Sequence, residues 1–146
     1  MIKLFSKWIL LIYRKIWVYE AFLIKLYFKA TYVNKLGAEL SYKDEDKAIL
    51  NFANQSFFLV KSQANQSLNF YDFCGEERFS LTFEVNGLNA LESIHSDFIK
   101  KEIKVGEIEN RGHTGKNFVF YDLDGNKFDV WSELSPIFKQ KYLISQ

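Results

Sequence analysis

A chain of 146 residues is long enough for one hydrophobic core and too short for two ordinary domains. Hydrophobic residues make up 48% and charged residues 25%, which excludes a disordered chain, and the 18% of aromatic residues favours strands around a large apolar interior. With Cys74 as its single cysteine, the chain excludes an internal disulfide and a cysteine metal cluster, which agrees with a reducing compartment such as the cytoplasm.

The first 36 residues are basic and aromatic. They hold seven Lys or Arg against Glu20 alone, which leaves twelve basic and seventeen acidic residues for the remainder. Charges break every apolar run well short of the ~20 residues of a spanning helix, and no cleavage site indicates a signal peptide. The pattern predicts a first strand at Lys3 to Tyr13 and a helix at Ile16 to Lys35, ended by Gly37. The alternative is an arm that binds a membrane surface or a partner.

Three strands are predicted next, at Ala38 to Tyr42, Lys47 to Ala53 and Ser56 to Ser62. Asn54-Gln55 is the predicted turn between the second and the third. The following segment, Gln63 to Glu77, is rich in Asn, Gln and Ser and is read as a linker without strands.

The second half begins with a strand at Arg78 to Val85, in which apolar and polar residues alternate. Asn86 can cap the helix that follows, where apolar residues recur at helical spacing from Leu88 to Ile99. Ile103, Val105 and Ile108 indicate another strand, roughly residues 102–109.

The chain then predicts a β-hairpin, with strands at Asn117 to Leu123 and Lys127 to Glu133. Its turn is Asp124-Gly125-Asn126, because Asp-Gly and Gly-Asn supply the positive φ angles of a tight connection. Pro136 lies in a short C-terminal helix or tail.

The order strand, helix, strand, strand, strand therefore occurs twice, which predicts an internal duplication of the α+β class. Ala48 to Val60 can be written beside Phe118 to Val130 residue by residue, which sets Leu59 level with Asp129. We expect one domain, with module one at about 1–65, a linker at about 63–77, module two at about 78–134 and a tail at 135–146.

The second hairpin, residues 118–131, resembles the closing strand pair of the vicinal oxygen chelate superfamily, which includes glyoxalase I, fosfomycin-resistance proteins, extradiol dioxygenases and bleomycin-resistance proteins. Leu123 stands where proline is usual in that family. Ser80 to Val85 resembles the first strand of its second module, and Asn34 to Glu39 resembles the end of its first helix. The resemblance covers residues 34–134 and implies two βαβββ modules that form a curved, cup-like mixed sheet.

Metal-dependent members of that family place ligands on the first and last strands of each module. The resemblance sets Ser80 at the usual His, Asp129 at the usual Glu, and Leu59 at the equivalent position of module one. Lys3 to Tyr13 contains no His, Asp or Glu. Asp129 is thus the single position able to hold a metal, so we expect no metal cofactor.

Six residues are predicted to contact a small organic ligand. Asp129 and Ser80 come from the family positions, and His113 lies in a loop at a strand mouth, where it could act as an acid or base. Aromatic side chains would line the concave face of the sheet. The aromatic candidates are Phe58, Phe120 and Trp131. The alternatives are an ion-paired Asp129, a structural His113 and aromatic residues that belong to the core, and His95 is expected at the surface.

The sequence thus predicts a metal-independent small-molecule-binding protein of the bleomycin-resistance-like kind, cytoplasmic and homodimeric, with no nucleic-acid partner and no membrane contact. One alternative is a metal-dependent lyase, isomerase or dioxygenase of the same superfamily. The other is binding to a membrane or partner through the basic N-terminus.

Overall fold

A computed structural model of the chain describes residues 11–12, 20–21 and 29–142, and the side chains of residues 31–140. Within these residues the protein is of the α+β class, with two mixed sheets, a small hairpin and two α-helices. None of the described helices is both long and apolar enough to cross a bilayer. The strands are β1 (Leu11–Ile12), β2 (Glu20–Ala21), β3 (Glu39–Lys43), β4 (Lys47–Phe52), β5 (Gln55–Val60), β6 (Phe70–Tyr71), β7 (Glu77–Arg78), β8 (Thr82–Glu84), β9 (Lys104–Val105), β10 (Asn117–Tyr121) and β11 (Lys127–Trp131). The helices are a π-helical segment at Lys29–Lys35, α1 (Leu88–Lys100) and α2 (Pro136–Tyr142).

The two larger sheets are built on one strand order. The five-stranded sheet runs β1-β8-β11-β10-β9, and the four-stranded sheet runs β2-β5-β4-β3. In each sheet the second strand of a hairpin, β11 or β5, pairs in parallel with an earlier strand, β8 or β2. β1 extends the larger sheet by pairing antiparallel to β8.

The helix predicted at Ile16 to Lys35 is wrong at Glu20–Ala21, which is strand β2. This pair of residues lies beside Leu59–Val60 of β5, so pairing with a distant strand overrides the local helical pattern. The last part of the prediction is helical, at Lys29–Lys35. Of the predicted first strand, Leu11–Ile12 is β1, and the remainder lies outside the described residues.

The first long hairpin joins β4 to β5. Its turn is Ala53-Asn54, with φ of 53° and 59°, one residue earlier than predicted, because Gln55 already pairs with Phe52. Two consecutive residues with positive φ are the signature of a type I′ turn, which matches the twist of the strands.

Helix α1 packs against the core-facing side of the larger sheet. Leu91, Ile94 and Phe98 are its buried residues, and the Phe98 ring meets Phe120 edge-on, with centroids 5.1 Å apart. The predicted cap is wrong, because Gly87 is the N-cap and no side chain caps the helix.

The second long hairpin joins β10 to β11 through residues 122–126, which contain the predicted turn Asp124-Gly125-Asn126 and also the last two residues of the predicted first strand. Asp122 organises this turn, because its Oδ1 accepts hydrogen bonds from the backbone N–H of Asp124 (2.9 Å) and Asn126 (2.8 Å). Its Oδ2 accepts from Asn126 Nδ2 (2.8 Å) and from the Tyr32 hydroxyl (2.7 Å). Burial raises the pKa of Asp122 despite these four donors. The turn is therefore tied to the segment that precedes β3.

A one-residue difference separates the two long hairpins. Ala48 pairs with Leu59, and Phe118 pairs with Val130, and all four side chains are at most 1% exposed. The stretch from Phe118 to Val130 is thus one residue longer than the stretch from Ala48 to Leu59, and Leu59 corresponds to Val130 in the core. The predicted equivalence of Leu59 and Asp129 is wrong, because one residue of shift moves a side chain to the other face of a strand.

The segment read as a strand-free linker contains the β6–β7 hairpin. It is fastened to the second long hairpin, since Asn69 donates from Nδ2 to the Gly125 carbonyl (2.9 Å) and accepts at Oδ1 from the Lys127 N–H (2.7 Å). The strand predicted at Arg78 to Val85 is consequently divided between β7 and β8.

Candidate functional site

Asp129 lies at the centre of the larger sheet, on the face that is turned away from helix α1. It pairs with Thr82 of β8 and Val119 of β10, whereas the neighbouring Phe128 and Val130 face the core. The residue is only 2% exposed. A buried carboxylate at a sheet centre requires specific partners.

Three side chains supply those partners. Arg111 donates from Nη1 to Asp129 Oδ1 (2.9 Å), and Asn117 donates from Nδ2 to Asp129 Oδ2 (2.9 Å). Thr82 faces Asp129 from β8, and its hydroxyl lowers the pKa of the carboxyl group. Burial still raises the pKa of Asp129, and the Arg111 charge and these hydrogen bonds act in the opposite direction.

The Arg111 guanidinium is held on three sides. Besides Asp129 it contacts Glu109, whose Oε2 lies 3.0 Å from Nε, and it covers the Phe79 ring at 5.4 Å from the centroid. A planar cation between two carboxylates and an aromatic face is a well-matched arrangement. Asn117 is less well satisfied, because its buried Oδ1 has no hydrogen-bond partner within the part of the chain that the structure describes.

A glycine-containing loop, residues 110–116, borders this cluster. Trp131 donates from Nε1 to the Thr114 carbonyl (2.8 Å), and its ring meets the exposed His113 edge-on at 5.7 Å. Gly115 has a φ of 81°, and a Cβ there would lie 2.9 Å from Trp131 Nε1, so a side chain would push the loop off the tryptophan. His113 and Trp131 are thus brought together beside Arg111.

The structure brings three of the six predicted site residues together: Asp129, Trp131 and His113. Phe58 lies on β5 opposite Ile49 and is the structural counterpart of Asp129 in the other sheet. Ser80 does not join the cluster, because its hydroxyl donates to the Leu68 carbonyl (2.7 Å).

Phe120 is a correction to the predicted site. It is 2% exposed and stacks on Phe128 in the core, with centroids 5.1 Å apart, so it faces helix α1 and not the Asp129 side. The surface position expected of His95 is also wrong. That ring is partly buried, lies 4.9 Å from the Phe118 ring and shares a 2.8 Å hydrogen bond with the Gly106 carbonyl.

Sequence reasoning missed Arg111, Asn117 and Thr82. Strand alternation could have found Thr82, which is two residues from Ser80 on the same face. Arg111 had no such signal, because it reaches Asp129 from a loop eighteen residues earlier in the chain.

The residues around Asp129 do not fit a divalent metal. No group of three or more His, Cys, Asp or Glu side chains converges anywhere among the described residues. Both Asp129 oxygens are held by side-chain N–H donors, and one of these donors is itself a cation. A metal would have to displace the guanidinium and recruit further ligands.

The structure also contains a cavity of about 510 Å³ on the helix side of the sheets. Phe52, Ile94 and Phe98 form its apolar part, and the β4–β5 turn borders it. Its volume suits an organic ligand, but it lies on the opposite side of the sheet from Asp129 and contains none of the six predicted residues.

No protein-family model matches the sequence, and no curated protein matches it. Solved structures do resemble it in fold. A glyoxalase family protein from Enterococcus faecalis is 20% identical, with a TM-score of 0.58, over 73% of this chain and 87% of that one. The fosfomycin resistance protein FosX from Listeria monocytogenes is 14% identical, with a TM-score of 0.61, over 80% and 90%. Lactoylglutathione lyase from Agrobacterium tumefaciens is 16% identical, with a TM-score of 0.56, over 78% and 91%.

Proposed function

We propose that this chain, which has the fold of the vicinal oxygen chelate superfamily, binds a small organic molecule without a divalent metal. The fold confirms the resemblance predicted from the sequence, and fold alone does not decide activity. The function must therefore be argued from the Asp129 face of the larger sheet.

One observation carries the proposal: the Arg111 guanidinium forms an ion pair with Asp129, where a metal-dependent relative would have a metal ion. Because the guanidinium already pairs with this buried carboxylate at 2.9 Å, Asp129 has a counter-charge without a metal. Phe79 packs on the Arg111 guanidinium, and Trp131, two residues beyond Asp129 on β11, carries His113 on its ring, so aromatic surface suited to a planar or apolar organic ligand lies next to the cluster. His113 is exposed and can exchange a proton with such a ligand.

We also propose the arrangement that brings Phe58 to the same ligand. The shared strand order of the two larger sheets supports two βαβββ modules whose sheets curve into one cup. In that arrangement Phe58 and Asp129 occupy equivalent positions on the two halves of the concave face. The proposed module limits are 1–65 and 78–134 within a single domain.

The same proposal places the protein in the cytoplasm as a homodimer. Cys74 is free and exposed, which is compatible with a reducing compartment. Light scattering at several concentrations tests the dimer, and a mass of one chain at every concentration contradicts it.

A metal-dependent enzyme is the second candidate, and structural neighbours favour it. One FosX structure from Listeria monocytogenes is a complex with Mn(II) and a sulfate ion. In this chain such an activity would need a site rebuilt around Asp129, His113 or a partner chain, which the Arg111 contact opposes.

Metal analysis and ligand titration separate the two candidates. The protein is expressed with Mn, Ni, Fe or Zn supplements, its bound metal is measured, and bleomycin and fosfomycin are titrated with and without EDTA. We expect substoichiometric metal, and binding of an organic probe that EDTA leaves unchanged and Trp131→Ala weakens. Stoichiometric metal that is lost in Asp129→Ala would overturn the proposal.

A further inference from the structure

The groups that surround the Arg111 head are hydrogen-bond acceptors and an aromatic face. Asp129 Oδ1 and Glu109 Oε2 accept from it at 2.9 and 3.0 Å. Asn117 donates to the other oxygen of Asp129, and its buried Oδ1 has no hydrogen-bond partner among the described residues, which leaves one acceptor of the cluster unused. An occupant of this place must therefore be a cation with several N–H or O–H donors.

The Phe79 ring favours a flat cation over a spherical one. The Phe79 ring lies 5.4 Å from the guanidinium carbon, within the range of a cation–π contact. A flat delocalised cation can stack on the ring and donate in its own plane to both carboxylates. A hydrated divalent ion cannot use the ring, and the N–H donor of Asn117 beside Asp129 Oδ2 opposes it.

A second arginine in the chain shows what an ordinary ion pair looks like here. Arg78 contacts Asp72 and Glu76 at 2.6 and 2.7 Å, but all three belong to the β6–β7 hairpin region and the Arg78 side chain is 46% exposed. Arg111 instead reaches a carboxylate that is 3% exposed in another element. Local sequence explains the first pair and does not explain the second.

We infer that Asp129, Glu109, Asn117 and Phe79 form a receptor for a guanidinium-type cation, and that Arg111 is its resident occupant. The inference rests on the proposed metal-independent function and deepens it, since it names the class of cation that this site takes. With the Arg111 side chain removed, a free guanidinium compound enters the same place in preference to a divalent metal.

Chemical rescue tests the inference. The melting temperatures of the wild type, Arg111→Ala, Arg111→Ala/Asp129→Asn and the matched control Arg78→Ala are compared in low-millimolar methylguanidinium chloride, MnCl2 and NaCl of equal ionic strength. We expect Arg111→Ala to melt lowest and to be stabilised by methylguanidinium alone. The double variant should bind methylguanidinium about tenfold more weakly, because its charge-assisted hydrogen bond is lost.

Two results overturn the inference. One is a methylguanidinium shift in Arg111→Ala no larger than that in Arg78→Ala, and the other is a larger shift with MnCl2. If Arg111→Ala does not fold, Arg111→Gln is measured in its place, since its side chain keeps part of the packing on Phe79. Stoichiometric metal in the wild type that Asp129→Ala loses refutes the proposed function, whereas these results concern only the Arg111 variants, so the two failures are distinguishable.

Discussion

The two long hairpins have similar sequences, but their return strands turn corresponding positions to different faces of the sheets. In both, the first strand turns alternate residues to the core, as Ala48 and Phe118 show. The chain between the paired core residues is one residue longer from Phe118 to Val130 than from Ala48 to Leu59, so the returning strand presents Leu59 to the core in one hairpin and Asp129 to the opposite face in the other. A single inserted residue therefore decides whether a position on the return strand is core or site.

The largest effect is expected from a carboxylate placed at Leu59. Leu59 is 1% exposed, so Leu59→Asp buries an unpaired charge and should cost about 4 kcal/mol or more. Phe58→Asp, at the true counterpart of Asp129, should cost clearly less. Urea denaturation of both variants measures the difference, and equal losses would contradict the register described for β5.

A smaller loss of stability is expected when the hydrogen bond between Tyr32 and Asp122, in the second turn, is removed. Tyr32→Phe removes the buried 2.7 Å hydrogen bond to Asp122 and should lower the free energy of unfolding by about 1.5–3 kcal/mol, the range for bonds to charged groups. Tyr42→Phe is the matched control, because the Tyr42 hydroxyl bonds the exposed Asp44 near the first hairpin. A control loss as large as that of Tyr32→Phe would show that the link across the chain has no special value.

Both turns contain a residue with positive φ, where glycine is favoured over alanine. Replacing alanine by glycine in the first turn and glycine by alanine in the second should therefore change stability in opposite directions. Ala53 holds a φ of 53° without being glycine, so Ala53→Gly relieves backbone strain and should stabilise by up to about 1 kcal/mol. Gly125 has a φ of 83° with open space around it, so Gly125→Ala should destabilise by about 1 kcal/mol through backbone strain alone. Thermal unfolding of both variants checks the signs, and two shifts of the same sign would refute this account.

The smallest effect expected is a pH dependence. The pKa of Asp129 is raised by burial above its reference value of 3.8, so the folded state holds the proton to higher pH than the unfolded state does. Asp129 therefore favours folding most below pH 3.8, and this contribution falls as the pH rises through the folded-state pKa. Asp44 has a pKa lowered by the Tyr42 hydroxyl and backbone N–H groups, so its contribution is present above pH 3.8 and falls on acidification.

Denaturation at a series of pH values compares Asp129→Asn and Asp44→Asn with the wild type. As the pH falls, the wild type should gain stability relative to Asp129→Asn and lose it relative to Asp44→Asn. The same trend in both variants would contradict the opposite shifts.

Local sequence determined much of the described fold. Alternation in residues 47–60 and 117–133 identified both hairpins, helical spacing identified α1, and Asp124-Gly125-Asn126 identified a turn that only certain backbone angles allow. The hairpin motif was also enough to indicate the superfamily fold, and it singled out Asp129 as a candidate site residue.

Tertiary structure decided the rest, because those features depend on residues far apart in the chain. Strand β2 forms inside a helical pattern because β5 offers it hydrogen bonds, and the face of Leu59 depends on the length of a turn. Arg111 meets Asp129 because the loop before β10 brings it to the carboxylate, and no periodicity in the sequence predicts that contact. The sequence identified Asp129 as the carboxylate of the candidate site, and only the tertiary structure showed that Arg111 is the cation that pairs with it.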